Sequence, residues 1–161
     1  HDFQTGDLSG WTIVEGNTFT DGHVTNKIDW GWGGPFGQAT TSVDPNRYHL
    51  WGFNPDHGGD SATGVLKSEN FTLGGDGQID FLTSGGADEQ LLYVALVNAE
   101  TNEILMKATG HNGESYRRVF WDASEYKGKN LYIQVVDKHT GGWGHINLDD
   151  VNVPVQIEEK P

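Results

Sequence analysis

The residues best suited to chemistry in this 161-residue chain cluster near its C-terminal end, over positions 135–151. An apolar strand pattern ends there at Asp137, and a glycine-flanked Trp143 and His145 follow. A second strand pattern then carries the adjacent carboxylates Asp149 and Asp150. A carboxylate, a flat aromatic ring and an imidazole within a few residues are typical of a site that binds a polar ligand.

The position of Asp137 on its strand predicts that its carboxylate is buried. Alternate residues of a strand face the same side, so Asp137 shares the face of the apolar residues at positions 131, 133 and 135. A buried carboxylate needs partners, and the candidates are His145, the backbone N–H groups of residues 141–144, or a ligand hydroxyl. Asp137 therefore either stabilises the turn or binds a ligand, and the sequence leaves both interpretations open.

Trp143 lies between two glycines, where it has little to pack against among its own neighbours. A flat ring beside a carboxylate suits a sugar, because the apolar C–H face of the sugar stacks on the indole while its hydroxyls bind polar groups. The alternative is a structural tryptophan that closes one end of the fold.

Arg118 adds a planar fork of donors on another predicted strand, with Glu114 and Tyr116 close by in sequence. Arginine can grip two adjacent oxygens at once, so Arg118 together with Asp137 could bind vicinal hydroxyls. A structural ion pair is the alternative interpretation of Arg118.

Two acidic pairs, Asp88 with Glu89 and Asp149 with Asp150, raise the question of a glycosidase, which needs two carboxylates across one bond. Residues adjacent on a strand face opposite sides, so neither pair can flank a bond by itself. The sequence also contains no HExxH, phosphate-loop or serine-nucleophile motif. We therefore predict a protein that is not an enzyme.

The metal-binding potential is limited to oxygen ligands. The chain has no cysteine, and its seven histidines show no close paired spacing, which argues against zinc. Acidic residues near the two ends of the chain suggest a structural calcium site at Asp2, Gln4 and Asp150, although Asp150 also fits an ordinary hydrogen-bonding role. We predict no required cofactor.

The composition predicts an all-β protein. It combines 23 glycines and six tryptophans with five prolines, and about ten short alternating segments recur without a helical period. The apolar run Leu91–Val97 indicates a central strand that is buried on both faces. We predict a single antiparallel β-sandwich, jelly-roll-like, over residues 1–154, followed by a polar tail at 155–161.

The charge restricts the partners. Ten basic and 23 acidic residues give a formal net charge of −13, which disfavours nucleic acid and anionic lipid and favours neutral ligands. No apolar run is long enough to span a membrane. The opening residues also lack a signal-peptide pattern, as expected of a mature secreted module.

Four segments carry a resemblance to a known family: DFQTGDLSGWTIVEG, GVLKSENFTL, FLTSGGADEQLLYVALVNAET and YRRVFWDASEYKGKNLYIQVVDKHTGGWGHINLDDV. They are similar to family 66 carbohydrate-binding modules, the β-sandwich domains appended to family 32 fructan hydrolases such as bacterial exo-levanases. The resemblance covers nearly the whole chain, and the block that ends in WGHINLDDV is its most specific part.

The resemblance implies a secreted, non-catalytic module that binds the terminal non-reducing fructose of levan-type fructans. The ends of inulin chains are the second candidate ligand. The resemblance also implies a covalently linked catalytic domain that the module keeps near the polymer. A small glycoside hydrolase and a purely structural accessory domain are the alternatives. The polar and aromatic positions that match the family are Glu114, Tyr116, Arg118, Asp137, Trp143 and His145.

Overall fold

The computed structural model describes residues 11–16, 24–25, 49–51, 63–139 and 144–155. Within these ranges the chain forms eleven β-strands and one short 3-10 helix, Ser124–Tyr126. The strands are β1 Trp11–Gly16, β2 Val24–Thr25, β3 His49–Trp51, β4 Gly64–Ser68, β5 Phe71–Thr72, β6 Gln78–Gly85, β7 Leu92–Asn98, β8 Ile104–Ala108, β9 Gly113–Asp122, β10 Asn130–Asp137 and β11 Ile146–Asn152.

The strands form two sheets. Sheet A has the order β1-β4-β10-β7-β8, with β5 also paired to β10, and sheet B has the order β2-β3-β11-β6-β9. Every strand pair in the described ranges is antiparallel. The predicted antiparallel β-sandwich is therefore confirmed.

The core lies between the sheets and follows the strand alternation. Sheet A contributes Ile133 and Val135, and sheet B contributes Phe81 and Leu148, all of them buried in one cluster. The rings of Phe81 and Trp121 meet edge to face, with centroids 4.7 Å apart and an interplanar angle of 70°. Because alternate residues point away from this core, the even-numbered residues of β6 and, on β9, Arg118, Phe120 and Asp122 lie on the outer face of sheet B.

The predicted central strand is confirmed as β7. It lies between β10 and β8, and the residues from Val94 to Val97 are all buried, on both faces of the sheet. A tight turn follows β7, in which the Asn98 N–H donates to the Glu103 carbonyl at 2.9 Å and Asn102 adopts a positive φ of 60°. β7 and β8 therefore form a hairpin at one end of the sandwich.

Three connections between the sheets lie at the opposite end. They join β6 to β7, β8 to β9, and β10 to β11, and we call this the crossover end. Its described residues are 86–91, 109–112, 138–139 and 144–145. Asp137, with which the predicted chemical stretch begins, therefore lies at an end where the chain passes repeatedly between the sheets.

Val155, the first residue of the predicted tail, forms a β-bridge with Leu73. Residues 156–161 lie outside the described ranges, so the predicted tail stays a prediction. No helix in the described part of the chain is long and apolar enough to cross a membrane.

Candidate functional site

Arg118 lies on the outer face of sheet B, in the middle of β9. Its neighbour Val119 packs against the core, so Arg118 points the other way. The guanidinium Nη1 contacts the Asp80 carboxylate, and both side chains are about a quarter exposed, at 25% and 29%. Asp80 also accepts a hydrogen bond of 2.9 Å from the Asn152 amide. These three residues form a polar group that we call the Arg118 triad.

The Arg118 triad holds a guanidinium that is about a quarter exposed on the outer face of sheet B. Arginine carries five N–H donors in a rigid plane, a geometry that suits the recognition of oxygen atoms such as those of carboxylates and hydroxyls. Ion pairs of this exposure contribute little to stability, roughly 0–1 kcal/mol. The triad is therefore better suited to orienting Arg118 than to holding the sheets together.

Asp137 lies on the other sheet and faces the opposite way. It ends β10 between Gly64 of β4 and Leu92 of β7, and it is fully buried. The buried orientation is the one that strand alternation predicts. The structure does not bring Asp137 together with Arg118, however, because Arg118 faces outward from sheet B and Asp137 faces the space between the sheets. The expected Arg118–Asp137 pair is replaced by the Arg118–Asp80 pair.

His145 is held at the crossover end, with only 3% of its surface exposed. Its carbonyl accepts the N–H of Gly86 at 2.9 Å, which ties the residue just before β11 to the end of β6. Gly85 packs so closely there, at a φ of +103°, that a Cβ would lie 2.5 Å from the His145 carbonyl oxygen. Only glycine fits this position without a shift of the backbone.

Gly110 and Thr109 also hold the connections of the crossover end in contact. A Cβ on Gly110 would lie 2.4 Å from the Gly85 carbonyl oxygen, so the β8–β9 connection also packs directly on β6. The Thr109 hydroxyl is 2.7 Å from the Leu92 carbonyl and accepts the Asp88 N–H at 2.8 Å. The three connections are therefore fixed to one another by backbone contacts.

The remaining site residues of the sequence prediction are described only in part. Glu114 and Tyr116 belong to β9, but their side chains lie outside the described features, and Trp143 lies outside the described residues. Tyr116 precedes Arg118 by two positions on the same strand. Their roles in binding stay predictions.

The calcium site also stays a prediction. Asp2 and Gln4 lie outside the described residues, and Asp150 is described only as part of the backbone of β11. In the described part of the chain, no group of three or more His, Cys, Asp or Glu side chains could hold a metal ion.

One residue of each acidic pair has structural surroundings. The Asp88 carboxylate accepts the N–H groups of Gln90 at 3.0 Å and Leu91 at 3.1 Å, so it caps a turn. Asp149 is fully buried on β11, and the side chain of Asp150 lies outside the described features.

Comparison with known proteins gives one relative by sequence, and no family model matches the chain. A stretch of 100 residues is 36% identical to a protein of Aspergillus rugulosus that carries a provisional glycosyl hydrolase name. The match covers 62% of this chain but spans only 14% of the length of that protein. The similarity therefore concerns one segment of a much larger protein.

Two solved structures share the fold. The carbohydrate-binding module TmCBM61, solved with β-1,4-galactotriose, superposes with a TM-score of 0.52 at 14% identity, over 96% of this chain and 94% of that chain. The K1 cleaved adhesin domain of Lys-gingipain from Porphyromonas gingivalis gives a TM-score of 0.57 at 16% identity, over 97% and 96%. Both similarities extend over the complete sandwich, and at these identities they show a shared fold.

The sequence reasoning missed Asp80 and Asn152, the two partners that orient Arg118. The relation of Asp80 to Arg118 depends on the pairing of β6 with β9. The pairing joins positions 38 residues apart, and no local pattern specifies it. The available signal is an acidic residue between the apolar Ile79 and Phe81 of one strand.

Proposed function

We propose that this protein is a non-catalytic carbohydrate-binding module. The support comes from the complete sandwich that it shares with TmCBM61 and from the segment that it shares with a larger, provisionally named glycosyl hydrolase. The observation that carries the proposal is the Arg118 triad, an outward-facing arginine oriented by Asp80 on the outer face of sheet B. Oriented planar groups of this kind bind the hydroxyls of a sugar.

The ligand we propose is the terminal non-reducing fructose of a levan-type fructan. This identity rests on the resemblance of the sequence to family 66 modules, and inulin ends are the nearest alternative. The formal charge of −13 fits a neutral polysaccharide, since it would repel phosphorylated or sulfated polymers.

The predicted residues divide into two roles. We assign ligand contact to Arg118 and, by their positions in the sequence, to Glu114, Tyr116 and Trp143. Asp137 and His145 are almost completely buried, so we assign them to positioning the crossover end rather than to direct contact. A residue without exposed surface cannot meet a ligand that arrives from solvent.

The module would act by holding a covalently linked hydrolase near its polymer outside the cell. A single sugar offers few contacts, so we expect a monovalent Kd of about 10–100 μM or weaker. A branched polymer with many ends raises the apparent affinity through avidity.

Isothermal titration calorimetry with levan, inulin, levanbiose and fructose tests this proposal. Binding of levan and levanbiose, lost or reduced at least about tenfold in Arg118→Ala, is the expected result. A purely structural domain would bind none of the four sugars. A glycoside hydrolase would release reducing sugar from levan during prolonged incubation, and that result would overturn the non-catalytic assignment.

A further inference from the structure

The outer face of sheet B is divided into a buried half and an open half. Ser84, Asn147 and Asp149 lie on this face near the crossover end and are fully buried. Phe120 lies on the same face beyond Arg118, and it is 73% exposed. The open half comprises five residues that pair across three strands, and we call it the Phe120 strip: Gln78, Asp80, Phe120, Asp122 and Asn152.

Phe120 is an aromatic ring without a place in the core. Strand alternation directs Val119 and Trp121 of the same strand into the sandwich and leaves Phe120 outside. Its cross-strand partner is Asp80, a charged residue, so the ring is surrounded by polar groups rather than by an apolar patch. A single exposed ring among polar side chains is the usual arrangement for stacking on a sugar.

The polar groups around the ring are already ordered. The Gln78 side-chain amide donates to the Asp122 carboxylate at 2.8 Å, and Asp122 also accepts the Ser124 hydroxyl at 2.7 Å. Asp80 is held by Asn152 and Arg118. Because these side chains are fixed before a ligand arrives, binding loses little side-chain entropy.

A depression lies beside the strip. It has a volume of about 410 Å³ and is lined by Gln78, Asn152 and the apolar residues Val151, Val153 and Pro154. The depression is shallow, its volume lies within the range of small-molecule sites, and its mainly polar lining, with the amides of Gln78 and Asn152, suits the hydroxyls of a sugar. The carboxylates of Asp80 and Asp122 disfavour an anionic ligand.

The outer face of sheet A carries two tyrosines but does not offer the same surface. The Lys67 ammonium lies 4.2 Å from the centroid of the Tyr132 ring, and the Lys107 ammonium lies 4.3 Å from that of Tyr93. Each of these rings already has a cation over one face, and Tyr132 is only 6% exposed. Among the described aromatic residues, Phe120 is therefore the one best placed for a sugar.

We propose that the Phe120 strip is a second contact surface for a neutral polysaccharide, one that binds a sugar unit away from the terminal residue. Phe120 stacks on the ring, and the amides and carboxylates of the strip bind its hydroxyls. The inference rests on the proposed function because it takes carbohydrate as the ligand. It does not require a fructan and holds for any neutral polysaccharide.

Affinity electrophoresis in gels containing levan, inulin or β-1,4-galactan, together with calorimetry on fructose, tests the strip. In Phe120→Ala the affinity for the retarding polymer should fall about 3- to 10-fold, while fructose binding stays unchanged. Phe120→Tyr, which keeps the ring, should bind like the parent. Val14→Ala removes another exposed apolar side chain, 54% exposed on β1, and serves as the matched control.

The outcomes separate the two proposals. Equal polymer affinity in the parent and Phe120→Ala overturns the strip and leaves the terminal-sugar site intact. Loss of fructose and polymer binding together also overturns it, because the strip would then belong to one site with Arg118. A parent that binds no sugar in either assay overturns the proposed function and the strip together. A change in sedimentation between the parent and Phe120→Ala, with no change in sugar binding, identifies the strip as a self-association surface instead.

Discussion

Asp80 holds Arg118 on the outer face of sheet B, where β6 and β9 pair. The contact marks the border between the buried and the open half of that face. Both proposed binding surfaces meet at this pair, since Arg118 belongs to the terminal-sugar site and Asp80 to the Phe120 strip. Substitutions of Asp80 and Arg118 can therefore measure what this contact contributes to ligand binding.

Arg118→Ala and Asp80→Asn should weaken levan binding by different amounts. Loss of the guanidinium removes a charged donor to the sugar and should cost at least about tenfold in affinity. Asp80→Asn keeps the shape of the side chain and loosens the orientation of Arg118, so we expect about a threefold loss. In calorimetry with fructose, which occupies only the terminal-sugar site, the double variant should bind like Arg118→Ala if Asp80 acts there through Arg118, whereas additive losses would show that Asp80 contacts the terminal sugar independently.

The crossover end should be intolerant of a methyl group on Gly85. The positive φ disfavours any L-residue, and the added Cβ would meet the His145 carbonyl oxygen at 2.5 Å. We expect Gly85→Ala to lower the free energy of unfolding by about 2–4 kcal/mol in urea denaturation.

Gly128 provides the matched control for Gly85. Its φ is +84°, but a Cβ there would have nothing within 4 Å. Gly128→Ala should therefore show the conformational cost alone, about 1 kcal/mol. If Gly85→Ala and Gly128→Ala lose the same free energy of unfolding, the backbone around Gly85 shifts to accommodate the added Cβ.

The sequence predicts the strands of this fold well because their pattern is local. The pattern of apolar residues predicts β7 and the end of β10 to within one or two residues, and strand alternation predicts the buried side for Asp137. Each of these conclusions depends only on neighbours along the chain.

The pairing of strands is the part that the sequence did not supply. Arg118 and Asp137 looked like partners because both are charged and near a predicted site, but β9 and β10 belong to different sheets. The true partner, Asp80, becomes apparent only when β6 is known to lie beside β9. The exposure of Phe120 was hidden for a similar reason, since it depends on what covers each half of sheet B.

Acidification should weaken the fold through Asp122. Hydrogen bonds from the Ser124 side chain, the Ser124 backbone and Gln78 hold the pKa of Asp122 below its ordinary value of 3.8. A carboxyl whose pKa is lowered in the folded state stabilises that state above its unfolded pKa, and the stabilisation is lost as the pH falls through the folded pKa.

The unfolding temperature of Asp122→Asn should therefore fall less steeply than that of the parent as the pH is lowered from about 5 to about 2. Ser124→Ala removes the hydroxyl that contributes most to the lowered pKa, and it should reproduce part of the effect. Thermal unfolding monitored by circular dichroism over this pH range measures both. If the unfolding temperatures of the parent and Asp122→Asn fall in parallel with pH, Asp122 does not contribute to the acid sensitivity of the fold.

Ser84→Ala should destabilise the protein from a position outside the central core. The Asn147 side-chain amide donates to the Ser84 hydroxyl at 2.9 Å, and both residues are fully buried on the outer face of sheet B. Removing the hydroxyl takes an acceptor from a buried amide, which typically costs about 1–3 kcal/mol.

Thr101→Ala is the control for this loss, because the Thr101 hydroxyl accepts the Glu103 N–H at 3.3 Å in an exposed turn. Water can replace that bond, so we expect less than about 0.5 kcal/mol in urea denaturation. If Ser84→Ala and Thr101→Ala lose similar free energies of unfolding, water reaches the site of Ser84. The larger loss in Ser84→Ala would instead identify the buried half of the outer face of sheet B as dry interior.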